Sequence, residues 1–231
     1  MVTADIAENN LVELLKEFDI FERNKVSIEI KLAAIAMYIL SSSIRRIALL
    51  LNVGKSTVHY WIDRFKDVLN SERREKVSKL VISRIAVDET ILKYNGKKCY
   101  LFAALDVERN KIIHLKVYPA RNALTAYSFL KEVLRMCEVE ELILDRGPWY
   151  RDALQRLGVR FKHETFGERS LIESVFSSFK QRAKIFFCSI TVNFRRSEKK
   201  FGSLRWRRAL ECWNRFCRMF MFYFNVVRGC Y

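Results

Sequence analysis

The stretch from Arg84 to Pro119, "RIAVDETILKYNGKKCYLFAALDVERNKIIHLKVYP", constrains the fold more than any other part of the chain. Two apolar runs flank Asn95-Gly96, a dipeptide that tolerates positive φ at both turn positions and so closes a tight hairpin. A third run, "KIIHLKVYP", follows the turn-like Glu108–Asn110. Three consecutive antiparallel strands are expected, in a sheet that buries at least one face. One feature is out of place. Asp88 and Glu89 stand side by side between Ile85-Ala86-Val87 and Ile91-Leu92. A carboxylate is costly to bury unless a cation, a metal or water lies beside it.

The pattern then changes. "NALTAYSFLKEVLRMC" has helical spacing, with Leu124, Tyr127, Leu130, Val133 and Leu134 on one face. The strand "ELILD" ends at Asp145, before Arg146-Gly147-Pro148. A short helix with Tyr150, Ala153 and Leu154, a strand "VRFKH" and a helix through "ERSLIESVFSSFKQRAKIFF" follow. A meander followed by strand–helix alternation implies an α/β domain over residues 81–190, a mixed sheet covered by helices.

Residues 1–75 read as helical, with a helix-turn-helix pattern at about 41–65. Ser43 caps a helix through Ile44, Ile47, Ala48 and Leu51; Asn52-Val53-Gly54 is the turn, with Gly54 suited to positive φ. Ser56 and Thr57 begin a second helix, whose apolar face is Val58, Trp61, Ile62 and Phe65. Its other side presents Lys55, Ser56, His59, Tyr60 and Arg64, which can hydrogen-bond phosphates or base edges in a major groove. An ordinary helical hairpin packed on the main domain is the competing reading. Residues 191–231 carry the basic stretch "RRSEKKFGSLRWRR", with Arg205, Arg207 and Arg208 as candidate contacts to a DNA backbone. Leu210, Trp213, Phe216, Cys217, Phe220 and Phe224 then recur at helical spacing, which is most simply a core-packing stripe.

The chain has 231 residues, half of them apolar, enough for one core domain and a small appendage. Its net charge of +16 favours a polyanionic partner, nucleic acid or an acidic membrane surface. No apolar run is long enough to span a bilayer. The acidic, amphipathic N-terminus lacks the features of a signal peptide. Six cysteines form no CxxC pair and lie far from the three histidines, which argues against a zinc ribbon and for reduced thiols. A cytoplasmic, nucleoid-associated location is expected.

Asp88 lies within the first strand and Asp145 closes the fourth; if those strands are neighbours, both carboxylates face one point beside the sheet. Glu173 sits on the last helix of the domain among Leu171, Ile172, Val175, Phe176 and Phe179, which suggests a packed position. Convergent carboxylates repel unless a cation intervenes, and hard oxygen ligands suit Mg²⁺ or Mn²⁺. Two such ions about 4 Å apart can activate a water or a 3′-hydroxyl and stabilise the leaving oxygen of a phosphodiester. Strand-end capping and pairing with arginines would account for the same acids. Strand alternation sends Glu89 to the face opposite Asp88, exposed or paired with a lysine. Asp106 reads as a turn-initiating acid, and His114 and His163 as satisfied core or edge histidines. Arg121 and Asn122 either line the site or cap the helix that follows.

Five pieces in this order, "VDET", "YLFAALD", "ARNALTAYSFL", "LILDRGPWY" and "ERSLIESVFSSFKQR", preceded by the helix-turn-helix, resemble the DDE transposases of bacterial and archaeal insertion sequences. The likeness is greatest to the insertion sequence six family and covers roughly residues 28–190. It implies the RNase H-like fold shared with retroviral integrases, a mixed five-stranded sheet flanked by helices. It implies that Asp88, Asp145 and Glu173 are the catalytic, metal-binding triad for Mg²⁺ or Mn²⁺, with two ions, and that Lys180 contacts DNA near the scissile end. The implied partners are double-stranded DNA, as terminal inverted repeats and target, and a second copy of the chain or more in a synaptic complex; no membrane is implied. The implied chemistry is hydrolysis that exposes a 3′-hydroxyl, then attack of that hydroxyl on target DNA. Asp145 and Glu173 have 27 residues between them, fewer than is usual in that family. Glu164 and Glu168 are therefore rival third ligands, although Glu168 is already favoured in a first helical turn by the helix dipole. A remnant without chemistry, or a DNA-binding regulator, is the alternative reading.

Overall fold

The expected meander is present and carries the rest of the domain. A computed structural model describes residues 25–39, 42–71, 80–94, 97–163, 169–188 and 198–228. The Asn95-Gly96 turn, the acidic N-terminal residues 1–24, Glu164 and Glu168 lie outside the described residues. The chain divides into two compact units, Met1–Lys76 with Lys180–Thr191 and Val226–Tyr231, and Val77–Phe179 with Val192–Asn225.

The larger unit is built on five strands: β1 (Leu80–Tyr94), β2 (Lys97–Asp106), β3 (Lys111–Tyr118), β4 (Cys137–Leu144) and β5 (Phe161–His163). Their spatial order is β3-β2-β1-β4-β5. The first three are antiparallel, while β4 runs parallel to β1 and β5 parallel to β4. This is the mixed, helix-flanked sheet of the RNase H-like fold. Ile85 and Val87 of β1, Phe102 and Ala104 of β2, and Leu142 and Leu144 of β4 lie on one face by register and share one buried cluster. There they meet Phe129, Leu130 and Val133 of one helix and Tyr150, Ala153 and Leu154 of the next.

Those helices are α4 (Ala123–Met136) and α5 (Pro148–Leu157). (Among the described residues, α1 (Ile28–Ile39), α2 (Ile44–Leu50) and α3 (Lys55–Ser71) precede them in the chain.) Asn122 begins α4 with a capping box, in which its side chain accepts from the Thr125 amide and the Thr125 hydroxyl accepts from the Asn122 amide. The buried face of α4 is Ala126, Phe129, Leu130 and Val133, whereas Leu124, expected inside, is 73% exposed. The helix is rotated relative to the sequence reading: Ala126 and Phe129 join the cluster on the sheet and Leu124 does not. In α5 the expected Tyr150, Ala153 and Leu154 are all buried, and Gly158 ends the helix in the left-handed region at φ 64°.

Two long helices complete the described chain, α6 (Arg169–Cys188) and α7 (Glu198–Arg228). Ile172, Val175, Phe176 and Phe179 of α6 are buried. The Phe179 ring packs against Trp213, Phe216 and Phe220 of α7, so the aromatic stripe is core, as expected. Asn214 of α7 accepts from the Val117 amide at 2.8 Å and donates to the Val117 carbonyl at 3.2 Å. Asn225 does the same to Ile112, at 2.8 and 2.9 Å. Two side-chain amides thus occupy backbone groups on edge strand β3 that an additional strand would otherwise pair.

The smaller unit contains α1 (Ile28–Ile39), α2 (Ile44–Leu50) and α3 (Lys55–Ser71). Ile35, Ile47, Val58, Trp61, Ile62 and Phe65 are fully buried. The Ser43 side chain accepts from the Arg46 amide, as its capping position predicts. The turn differs from expectation: Asn52, not Gly54, holds the positive φ, at 51°. Asn52 and Val53 donate to the Leu49 and Ala48 carbonyls and so close the Schellman arrangement that ends α2. Asparagine tolerates this region because its short polar side chain relieves the usual steric cost.

Candidate active site

Parallel pairing of β1 with β4 sets the site. Val87 pairs with Leu144, the last residue of β4. One step further along both strands stand Asp88 and Asp145, which brings the two acids together as the sequence suggested. Among the described residues, β1 has no strand neighbour on that side beyond the end of β4, so side chains of either face reach the same space. Crevices outside the carboxyl ends of parallel strands are the usual ligand sites of such sheets.

The third acid in this space is Glu89. One carboxylate oxygen from each of Asp88, Glu89 and Asp145 lies within 4.8 Å of the others. The sequence reading placed Glu89 on the far face, exposed or beside a lysine. Its side chain is instead only 3% exposed and pairs with Arg121 at 3.2 Å. Its Oε2 accepts from the Tyr150 hydroxyl at 2.6 Å and from the Trp149 indole at 3.4 Å. Alternation does turn Glu89 away from Asp88, but toward the N-terminus of α5, where these donors wait. A signal existed in the sequence: Val87 and Ile85, two and four residues back on the same face, mark that face as buried too. Burial raises the Glu89 carboxyl above its ordinary range, and the charges of Asp88 and Asp145 add to this against the Tyr150 and Arg121 hydrogen bonds. The buried Tyr150 hydroxyl is raised well above its ordinary value by burial and by Glu89.

The loop after β4 is tightly built. Gly147 donates its amide to Asp145 Oδ1 at 2.8 Å. A Cβ on Gly147 would fall 2.6 Å from the Trp149 ring and 2.9 Å from Asp145 Oδ1, so any other residue would force one of these side chains to move. Trp149 in turn lies beneath the Arg121 guanidinium, 3.9 Å from ring centroid to cation. Arg121 therefore lines the site while Asn122 caps α4, which separates two roles the sequence left together. His163 of β5 donates from Nδ1 to the Asp145 carbonyl at 3.1 Å.

Glu173 is exposed on α6 and does not join the three-carboxylate group. Its expected packed position is corrected: the buried stripe of α6 passes through Ile172, Val175, Phe176 and Phe179, and residue 173 falls outside it. Asp106 is buried but serves its turn, accepting from the Glu108 and Arg109 amides and pairing with the Arg109 side chain at 2.9 Å. His114 is buried, stacked on Phe129 and hydrogen-bonded to Glu132. In α3, Lys55, Ser56, His59, Tyr60 and Arg64 are all exposed, as expected, and His59 engages Asp63 at 2.7 Å. Lys180 and Arg207 are exposed; the side chains of Arg205 and Arg208 lie outside the described residues. Among the described residues no helix is long and apolar enough to cross a membrane.

An RNase H-like sheet that brings Asp88, within β1, beside Asp145, just past the end of β4, is in keeping with a protein of the polynucleotidyl transferase type. A family model described as a DDE domain matches residues 82–199. An uncharacterized protein of Methanocaldococcus jannaschii is 35% identical over 181 residues, covering 76% of this chain and 82% of that protein. The chain belongs to the DDE transposases of insertion sequences. A transposase for the insertion sequence-like element IS431mec of Staphylococcus aureus is 28% identical over 112 residues, 48% of this chain and 49% of that transposase. The match therefore spans about half the length of that relative. Among solved structures, the catalytic core domain of HTLV-2 integrase in complex with magnesium is similar at a TM-score of 0.40 and 18% identity, over 48% of this chain and 75% of that one.

Proposed function

We propose that this chain binds the terminal inverted repeats of its element and catalyses divalent-metal-dependent DNA cleavage and strand transfer. The observation that carries the reading is the juxtaposition of Asp88 and Asp145, one step beyond the last paired residues of two parallel strands. The donor set fits a divalent cation: the atoms that converge are hard carboxylate oxygens, and their mutual repulsion is what such an ion relieves. Asp88, Asp145 and Glu173 would hold Mg²⁺ or Mn²⁺, two ions in all. When bound, the ions activate a water or a 3′-hydroxyl and stabilise the leaving oxygen.

The chain's own residues divide the remaining work. Asp88 offers its carboxylate from the central strand, one residue past its last pairing with β4 and still paired with Ala103 of β2, a rigid mount. Glu173 and Lys180 stand exposed on α6, open to a DNA end. Residues 1–75 would recognise the repeat, through Lys55, Ser56, His59, Tyr60 and Arg64. Residues 81–190 would carry the chemistry. Residues 191–231 would contact the DNA backbone through Arg205, Arg207 and Arg208. Joining two ends to a target requires two copies of the chain or more.

The test is cleavage of linear double-stranded DNA bearing the element's inverted repeats, in Mg²⁺, by the full chain. D88N, D145N and E173Q should each abolish cleavage and leave repeat binding intact. Cleavage that survives D88N or D145N overturns the reading. Cleavage that survives E173Q and is lost in E168Q moves the third ligand to Glu168 and removes the Lys180 assignment with it. A parent chain that binds repeats without cutting them in Mg²⁺ or Mn²⁺ is a regulator or remnant.

A further inference from the structure

Glu89 belongs to a connected set of contacts that ends on Asp145. Its carboxylate is the shared acceptor for Tyr150 and Trp149, two consecutive residues in the first turn of α5, and for Arg121, just before α4. Arg121 lies over the Trp149 ring and also 5.4 Å from the Tyr100 ring of β2. The Trp149 ring leaves no room for a Cβ at Gly147, and the Gly147 amide fixes one oxygen of Asp145. Arg121, Trp149 and Tyr150 each also touch another member of the set besides Glu89. A metal ligand is commonly oriented by hydrogen bonds from groups that never touch the ion, and removing them weakens binding about 10–100-fold.

We propose that Glu89 is a positioning residue: through Arg121 and Trp149 it holds the Asp145–Trp149 loop so that the Asp145 carboxylate faces Asp88, and it is not itself a ligand. The assignment rests on the metal-binding reading given above. Two observations favour this role over direct ligation. Both oxygens of Glu89 are already engaged, Oε1 by Arg121 and Oε2 by Tyr150 and Trp149. The cation beside it is the Arg121 guanidinium, so its charge is balanced by the protein.

The experiment is Mn²⁺ binding to the full chain followed by electron paramagnetic resonance, with thermal melting in parallel. E89Q should raise the half-saturating Mn²⁺ concentration by about 10–100-fold, with the number of bound ions unchanged. R121K removes the guanidinium from over the Trp149 ring and should give a shift of similar size. The E89Q/R121K double variant should be no worse than either single one, because both act through one loop. Arg121 is one-third exposed, so R121K keeps the test available if E89Q does not fold. Loss of an ion in E89Q, as expected for D145N, would make Glu89 a ligand and overturn the proposal. Unchanged Mn²⁺ affinity in E89Q and R121K, whatever the melting shift, would reduce the cluster to packing and overturn it also. Mn²⁺ binding that survives both D88N and D145N would remove the metal-binding reading itself, an outcome separate from either result on Glu89.

Discussion

Gly147 shows how much a single position can decide. Alanine there would place a methyl group inside the Trp149 ring and beside Asp145. G147A should destabilise the protein by about 1–3 kcal/mol, the usual cost of overpacking. Chemical denaturation measures that cost, and a melt identical to the parent would show that the loop yields easily. A second residue-scale expectation concerns Glu132. Burial alone would raise its carboxyl, but hydrogen bonds from His114 and Lys116 hold it down to about 2 from an ordinary 4.5. A folded value below the unfolded one means that the charged form favours folding. That stability is fully present above the unfolded value and is lost as pH falls from about 4.5 through about 2. E132Q should flatten the stability profile across that window, read from denaturation midpoints. An unchanged slope would assign the acid sensitivity to other groups.

At the scale of elements, what the sequence disclosed and what it hid have physical reasons. Strand and helix order was legible because period-two runs and helical runs alternate cleanly between residues 81 and 190. Asp88 and Asp145 were legible because each interrupts or ends an apolar strand. Glu89 was not, because alternation gives a side chain's direction and not its destination; its partners Tyr150 and Trp149 come from sixty residues away. The rotation of α4 was hidden for a similar reason, since Leu124 and Ala126 are both plausible core residues until the sheet selects between them. The exposure of Glu173 was obscured by the apolar residues on either side of it. For the recognition element, α3 has a clear division between its buried stripe and its polar side. Changing His59 and Arg64 together to alanine should reduce preference for the terminal repeat over random DNA by about 1–3 kcal/mol per lost base contact. Competition binding measures this, and an unchanged preference would place recognition outside α3.

The molecule as a whole carries a net charge of +16, and the proposed partner is a polyanion. If six or more phosphates are contacted, affinity for DNA should fall by orders of magnitude between about 50 and 200 mM salt. A flat salt titration would rule out a backbone-contact role for the basic stretch around Arg207. The two asparagines of α7 have a consequence of another sort. Asn214 and Asn225 are eleven residues apart, which is three helical turns and about 16 Å of rise. Their partners Val117 and Ile112 are five residues apart in β3, which is also about 16 Å. Helix and strand are thus commensurate at these two points, like two rulers that agree at only one setting. Inserting one residue between Asn214 and Asn225 would swing the second amide by about 100° and lift it off the strand. The spacing between them is fixed by length, so this part of α7 can change its sequence far more freely than its number of residues.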